Sequence, residues 1–369
     1  MPNSSKILAG QPLSLAYYLP QFHEIEENNR WWGKGFTEWL HLDQSIQYFN
    51  WQKIRKPIEP LGKYNLLDSN AIELQFNTAK KYNIDGFLVF DYWFGAGKTL
   101  LEKPMQLVLK ENLNFDYCLC WANHTWFNKR DNLLLQKQEY LGVTDYTAYF
   151  ERLLPHFKSP HYIRINNKPV FAVFNPKEIP DLAVFVETFN MLAIKSGLEG
   201  LYFFAENTDS SSEYAHLFDA YTRSNNLFKK RNRDNVISYI KEKLTRKLGC
   251  KKLGPFRYDY AHLVIDNYEH PKDIKYTPSV FTGWDTTPRH QRRGTILKNF
   301  DVVSFNNHLK QIKLSLTHNN LIYPKGYRQL IIIKSWNEWA EGNLLEPDSV
   351  FGYQLLEAYR DFIEDYTRQ

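Results

Sequence analysis

Short apolar runs that end in polar or aromatic residues recur along the chain. Eight of them are recognisable, and several, such as GFLVF and LIIIKSW, are nearly or fully uninterrupted. Uninterrupted runs are typical of strands that are buried on both faces, as in a parallel sheet. The predicted strands cover residues 13–19, 85–92, 115–121, 169–174, 200–206, 218–222, 278–284 and 329–336.

Segments with apolar residues at helical spacing lie between these strands. Ile72, Phe76 and Ala79 mark one before the second strand, and residues 353–366 form a closing one. Strands that alternate with helices predict an α/β fold of the (β/α)₈ type, a TIM barrel, over a single domain of residues 1–369. A doubly wound open sheet is the alternative, because the pattern alone does not show closure.

The chain is longer than a typical barrel of about 250 residues, so the remainder must lie in loops. The two long loops follow strands 1 and 6, at residues 21–67 and 223–277. Residues 228–252 of the second loop hold ten Lys or Arg and two acids. The loop is therefore a basic, partly helical insertion. We expect a solvated helix, and the alternative is peripheral contact with an anionic membrane.

Composition narrows the class of protein. With 43% hydrophobic and 16% aromatic residues, the chain is not disordered. No apolar stretch is long enough for a transmembrane helix and the N-terminus has no signal-peptide pattern, which predicts a cytoplasmic protein. Three cysteines are too few for a disulfide framework or a zinc site, and no cofactor or metal is expected. One basic stretch on a near-neutral remainder argues against nucleic-acid binding.

Aromatic residues are unusually frequent, with 10 Trp, 24 Tyr and 25 Phe. Aromatic rings stack on the apolar faces of sugars, so an oligosaccharide or polysaccharide is one explanation. A large aromatic core is the other, and composition alone favours the core.

The densest polar chemistry follows the last predicted strand, in the segment WNEWAEGNLLEP at residues 336–347. Glu338 and Glu341 are three residues apart, which puts both carboxylates on one side of a helix or turn. Paired carboxylates are the usual equipment for cleaving glycosidic bonds. An acid pair at a helix start is the alternative, but the position at the carboxyl end of a barrel strand favours catalysis.

Several longer segments carry a family resemblance. They include YYLPQFHEIEENNRWWGKGFTEW, GFLVFDYWFGAGKTLLEKP, CLCWANHTW, HYIRINNKPVF, VFTGWDTTPR and SWNEWAEGNLLEPD. Through them the chain resembles the WbsX-like family of bacterial polysaccharide-locus proteins, which is related to glycoside hydrolase family 99. The resemblance implies a (β/α)₈ barrel that acts on α-linked mannose-type or rhamnose-type glycans with retention of configuration.

The resemblance also implies roles for the two glutamates. In family 99, the residue that matches Glu338 assists the sugar's own 2-hydroxyl, and the residue that matches Glu341 protonates the leaving oxygen. Ala340 stands where those enzymes usually have His, so sugar contacts there are expected to differ. His124 stands where WbsX-like proteins tend to have Glu, and it is interpreted as a sugar contact or a structural residue.

Further substrate contacts are predicted where the strands end. The predicted substrate-binding residues are Tyr17, Tyr18, Trp32, Asp91, Tyr92, Trp93, Trp121, Asn123, His124, Trp126, Glu206, Trp284, Asp285, Asn337, Trp339 and Glu346. About half of the aromatic residues among them are expected to belong to the core instead. Asp285 and Arg289 are either rim hydrogen-bonding groups or a pair that clamps a loop.

A glycoside hydrolase is therefore the leading hypothesis. The alternative is a glycosyltransferase in O-antigen or capsule assembly, the activity by which this family is commonly labelled. No D-x-D run for a metal-bound nucleotide sugar occurs in the sequence, which favours the hydrolase. A catalytically silent carbohydrate-binding barrel and a transglycosylase are the remaining hypotheses, and the intact glutamate pair argues against the silent barrel.

Overall fold

Eight parallel strands at the predicted positions form the central sheet of the computed structural model. The structure describes residues 11–128, 133–223, 240, 244, 255–262, 273–317 and 329–368. The strands, β1 to β8 in chain order, are Leu13–Tyr18, Gly86–Trp93, Tyr117–Trp121, Lys168–Val173, Tyr202–Ala205, Ala220–Tyr221, Ser279–Phe281 and Leu330–Lys334.

The order of the strands is that of a barrel. Across the sheet it runs β6-β5-β4-β3-β2-β1-β8-β7, so the first strand pairs with the last. The register aligns Leu13 with Leu330. Between β6 and β7 a parallel bridge joins Tyr221 to Tyr276, and the amide of Thr277 donates to the carbonyl of Tyr221 at 2.8 Å. This contact closes the sheet, which confirms the predicted (β/α)₈ barrel over the doubly wound alternative.

Helices connect the strands, as the apolar spacing predicted. The longest described connecting helices bury one apolar stripe against the sheet, for example Ile72, Phe76 and Ala79. The helices of the described residues are α1 Glu26–Trp32, α2 Glu38–Asp43, α3 Ser69–Lys81, α4 Lys103–Glu111, α5 Val143–Lys158, α6 Leu182–Lys195, α7 Thr287–His290, α8 Val302–Thr317 and α9 Gln354–Thr367.

Successive residues of a strand point to opposite sides of the sheet, and this divides the strand ends into two groups. Tyr17 points into the barrel, where its ring stacks on Phe90 at 5.1 Å. Tyr18 points outward and packs against Phe87 and Phe115 in the layer between sheet and helices. Consecutive aromatic residues at a strand end therefore have different surroundings.

The basic insertion predicted at residues 223–277 lies mainly outside the described residues, and with it the predicted membrane contact of 228–252. Its described strand, Phe256–Asp259, pairs in parallel with Thr295–Lys298, which follows β7. The loops after β6 and β7 therefore meet at the carboxyl end of the barrel. In the part of the chain that the structure describes, no helix is long and apolar enough to cross a membrane.

Candidate active site

A small hairpin after β8 carries the two predicted catalytic glutamates. Asn337–Glu338 pairs antiparallel with Asn343–Leu344, and Trp339–Glu341 forms a 3₁₀ turn between them. Glu338 precedes the turn and Glu341 ends it, and both carboxylates reach the guanidinium of Arg289. The turn ends at Gly342 in the left-handed region, with φ of 57°. A Cβ there would lie 2.9 Å from the backbone nitrogen of Asp285, so glycine is required.

Asn337 joins this hairpin to the end of β1. Its side-chain carbonyl accepts from the amide of Leu19 at 2.7 Å, and its side-chain amide donates to the Leu19 carbonyl at 3.1 Å. The side chain is completely buried. Asn337, predicted to contact substrate, therefore fixes the glutamate hairpin to the barrel.

Glu346 supports the hairpin from behind. Its buried carboxylate accepts from the Trp339 indole at 2.5 Å, from the Tyr64 hydroxyl at 2.9 Å and from the Gln75 amide at 2.6 Å. Burial raises the pKa of Glu346 to about 7, although the three donors oppose this shift. The Tyr18 hydroxyl extends the network by donating to Gln75 at 2.7 Å. This network holds Trp339, which lies between the two glutamates in sequence.

Arg289 connects three carboxylates at the mouth of the barrel. Its Nη2 lies 3.0 Å from Glu38 Oε2 and 3.5 Å from Glu338 Oε2, and its Nη1 pairs with Glu341. Arg289 comes from α7 and Glu38 from α2. Glu38 was not among the predicted site residues, although it lies in the GFTEW segment that carries part of the family resemblance. The Arg289–Asp285 pairing considered there is not formed, since Arg289 binds glutamates.

Burial and neighbouring charge perturb the three carboxylates differently. Burial, with Glu341 as the next cause, raises the pKa of Glu338 to about 7, against the opposing effect of Arg289. Burial also acts to raise the pKa of Glu38, but Arg289, His41 and His290 together outweigh it and the pKa lies below its ordinary value. Glu338 therefore holds a proton at slightly acid pH and gives it up near neutrality.

A second polar group lines the barrel interior near these carboxylates. The Tyr17 hydroxyl donates to the buried Glu206 at 2.5 Å. The Lys334 ammonium lies 5.3 Å from the centre of the Tyr17 ring and 5.8 Å from that of Phe174. Its charge acts to lower the pKa of Glu338. Tyr17 and Glu206 were predicted from their strand ends, whereas Lys334 was overlooked within an apolar run.

Aromatic rings form one wall near the glutamates. Burial and the charge of Glu338 raise the pKa of Tyr92, which places this phenol close to the carboxylates. The Trp126 ring contacts the Tyr92 ring edge-on, with ring centres 5.0 Å apart. It also contacts the Trp31 ring edge-on, with ring centres 5.9 Å apart. Trp32, half-buried, stacks on Phe36 at 5.8 Å. Tyr92 and Trp126 are thus brought to the same side of the mouth.

Other predicted contacts point away from the barrel interior. Asp91 accepts from the Tyr149 hydroxyl at 2.7 Å and pairs with Arg152 of α5. Trp93 stacks on Tyr149 at 5.0 Å, and Trp121 meets the same ring at 5.3 Å. The structure does not bring these side chains, or Tyr18, to the carboxylates. It gives each of them a partner in the layer between sheet and helices.

The remaining predicted contacts lie around the rim. Asn123 donates to the Asn175 carbonyl at 2.8 Å, and His124 is exposed. Trp284 stacks on Phe281 at 5.6 Å. Asp285 accepts from the Gln52 amide at 2.7 Å. Within the described ranges, no group of three or more His, Cys, Asp or Glu side chains is arranged to hold a metal ion.

Solved structures with the same fold are glycoside hydrolases or resemble them. One is the family 99 endo-alpha-mannosidase from Bacteroides thetaiotaomicron in complex with bis-tris-propane, with a TM-score of 0.57 and 14% identity, covering 96% of this chain and 97% of that one. A second structure of that enzyme has a TM-score of 0.55 and 13% identity, and it too covers 96% of this chain and 97% of that one. A glycoside hydrolase-like protein has a TM-score of 0.52 and 13% identity, covering 86% of this chain and 92% of that one. At these identities the likeness concerns the fold.

Two curated relatives, each described as uncharacterized protein WxcX, come from strains of Xanthomonas campestris pv. campestris. Both are 29% identical over 354 residues, which is 94% of this chain and 49% of theirs. The chain therefore spans about half the length of the curated relatives it matches. The family model described as Glycosyltransferase WbsX matches residues 14–359. With nearly the whole barrel matched, the chain belongs to the WbsX glycosyltransferase family.

Proposed function

We propose that this protein is a retaining glycoside hydrolase acting on α-linked mannose-type or rhamnose-type glycans. The observation that carries the proposal is the glutamate pair of the β8 hairpin. Both side chains reach the same guanidinium, that of Arg289, at the carboxyl end of a barrel strand, where TIM-barrel enzymes have their active sites. The raised pKa of Glu338, about 7, makes one proton exchangeable close to neutral pH, as acid–base chemistry on a glycosidic bond needs.

In the proposed reaction, Glu338 removes the proton of the sugar's 2-hydroxyl. The freed oxygen attacks the anomeric carbon, and the bond to the leaving oxygen breaks. Glu341 gives its proton to that leaving oxygen, which yields a 1,2-anhydro sugar. Water then opens this ring as Glu341 takes a proton from it and Glu338 returns one to O2. Two inversions give net retention, and the 2-hydroxyl must lie trans to the leaving group, as in α-mannose and α-rhamnose.

The ion pairs of Arg289 add a requirement to this mechanism. Arg289 pairs with Glu341, and the raised pKa of Glu338 puts the exchangeable proton on Glu338. The assigned roles need that proton on Glu341. We therefore expect bound sugar to separate Arg289 from Glu341. Glu38, 3.0 Å from the same guanidinium, is positioned to retain the arginine when this happens.

The test is turnover of α-mannosides, α-rhamnosides and bacterial surface glycans without nucleotide sugar or metal, with the anomeric configuration followed by NMR. Release of product with retained configuration is expected, and inverted product would refute the mechanism. Glu341→Gln should lose activity on natural glycans but keep activity on aryl glycosides whose leaving group needs no proton. Glu338→Gln should lose both. If instead Glu338→Gln keeps activity on aryl glycosides and Glu341→Gln loses it, the two roles are exchanged. The control is Glu187→Gln, which changes an exposed glutamate of α6.

The second candidate is a glycosyltransferase, the activity after which the WbsX family is named. In that case the same barrel would transfer a sugar from an activated donor to a growing glycan. The hydrolase assay separates the two when it is repeated with nucleotide sugars. Turnover that appears only with a nucleotide sugar would replace the hydrolase proposal with the transferase.

A further inference from the structure

Two arginines stack on aromatic rings beside the glutamate cluster. The guanidinium carbon of Arg257 lies 4.8 Å from the centre of the Phe49 ring, and that of Arg292 lies 5.5 Å from the Tyr48 ring. Phe49 stacks in turn on Trp51, with ring centres 5.1 Å apart and planes 6° from parallel. We call these five side chains the arginine platform.

The arginine platform is tied to the candidate active site by a short series of hydrogen bonds. The amide of Tyr48 donates to the Gln52 side-chain oxygen at 2.7 Å, and the Gln52 side-chain nitrogen donates to Asp285 at 2.7 Å. The amide of Asp285 donates to the carbonyl of Glu341 at 2.7 Å. Three hydrogen bonds therefore connect the arginine platform to Glu341, and the two share one end of the barrel.

Three different loops build the arginine platform. Tyr48, Phe49 and Trp51 follow β1, and Arg292 follows β7. Arg257 belongs to the strand Phe256–Asp259, whose pairing with Thr295–Lys298 fixes its position. Loops at this end of a TIM barrel supply its substrate contacts. Their convergence on one surface is therefore where specificity is expected to lie.

The charge of the arginine platform is not neutralised by the described part of the chain. Arg257 and Arg292 are exposed, and no ion pair to a described carboxylate is formed by either. By contrast, Arg55, Arg152 and Arg289 are each paired with a carboxylate. A guanidinium that stacks on a ring keeps its in-plane N–H donors available for a forked pair with an anion.

We propose that the arginine platform is a subsite for an anionic group of the glycan, the carboxylate of a uronic acid or a phosphate. The substrate is then an acidic glycan, and this inference rests on the saccharide function proposed above. Arg257 and Arg292 bind the anion, and the Trp51 ring, 43% exposed, stacks on the adjoining sugar. The stacking and the forked pairs together favour charged over neutral chains.

Binding, measured apart from turnover, tests this subsite. Glu341→Gln protein is titrated calorimetrically with fragments of uronate-containing bacterial polysaccharides and with the same fragments after chemical reduction of their carboxyl groups. Phosphate-substituted fragments and their dephosphorylated forms are the second arm. The variant R257Q/R292Q in the same background is compared with R360Q/R368Q, which removes the same charge from α9 and the residue after it.

Acidic fragments are expected to bind at least about tenfold more tightly than their neutral counterparts, which corresponds to about 1.4 kcal/mol. R257Q/R292Q should remove this preference, and R360Q/R368Q should keep it. The arm that shows the preference identifies the anion. Equal binding of charged and neutral fragments, or a preference that survives R257Q/R292Q, would overturn the subsite and leave the hydrolase proposal intact. If no fragment of either kind binds, the saccharide function fails and the subsite with it.

Discussion

Replacing Arg289 by Gln should destabilise the protein in a manner that depends on pH. The side chain neutralises Glu38, Glu338 and Glu341, whose side chains are 4%, 13% and 18% exposed. Removing one partner of a buried ion pair costs about 3–5 kcal/mol, because a charge is left uncompensated. The partial exposure of Arg289, 24%, reduces this. We expect a loss of about 3 kcal/mol in the free energy of unfolding at pH 8.

The loss should shrink at lower pH. Without Arg289, burial raises the folded-state pKa of Glu38 above that of the unfolded chain and raises the pKa of Glu338 further. Groups of this kind destabilise the fold as pH rises through the raised pKa, and they cease to do so once they are protonated. At pH 5 we expect Arg289→Gln to lower the free energy of unfolding by about 1 kcal/mol or less, because protonation of the glutamates then removes the uncompensated charge.

Urea denaturation of wild-type protein and Arg289→Gln at pH 5 and pH 8 measures both quantities. Arg368→Gln, which removes a solvent-exposed guanidinium directly after α9, should leave the denaturation midpoint unchanged at both pH values. A loss that is the same at pH 5 and pH 8 would refute the electrostatic reasoning, since it would mean that Arg289 acts through packing alone. The substitution Arg289→Gln combined with Glu38→Gln should recover part of the loss.

Three further outcomes are expected. Glu346→Gln should lower the free energy of unfolding by about 2 kcal/mol, because an amide nitrogen cannot accept from buried donors such as the Trp339 indole. An unchanged midpoint of chemical denaturation would contradict this. Gly342→Ala should lower kcat by at least about tenfold, with a smaller effect on KM, because its Cβ meets Asp285 and moves the glutamate turn; steady-state kinetics decide. The rate constant kcat/KM should fall as pH rises through about 7, when the Glu338–Glu341 pair loses its proton; a flat profile between pH 6 and 8 would exclude the pair as the acid.

The barrel strands could be predicted because each is a continuous buried run. Burial on both faces of a strand leaves a nearly continuous hydrophobic run in the sequence. The spacing of Glu338 and Glu341 was equally local, since it depends on one turn. Both features are contained in short stretches of sequence, and the structure has them where they were expected.

The direction of each side chain could not be predicted in the same way. Where both faces of a strand are buried, hydrophobicity does not mark the face that lines the barrel. Asp91 and Tyr92 were both interpreted as sugar contacts. In the structure only Tyr92 approaches the glutamates, and Asp91 pairs with Arg152 of α5.

The ion pairs at the mouth of the barrel were the other feature that could not be predicted from the sequence. Glu38 and Arg289 are 251 residues apart and belong to loops whose path follows no periodic pattern. Their contact exists because closing the barrel brings the loops after β1 and β7 to the same end. Only the folded sheet, with β1 next to β8 and β7 next to β8, gives that information.

The position of the β6–β7 closure has an evolutionary consequence. Glu38, Arg289 and the glutamate pair all follow β1, β7 and β8, which are consecutive neighbours in the sheet. Arg257 stands in the loop after β6, on the far side of the contact between Tyr221 and Tyr276. That loop can lengthen, shorten or change its residues without disturbing the strands that carry the carboxylates. If the proposed function holds, a change in the loop after β6 alters which glycan is recognised and leaves the reaction the same.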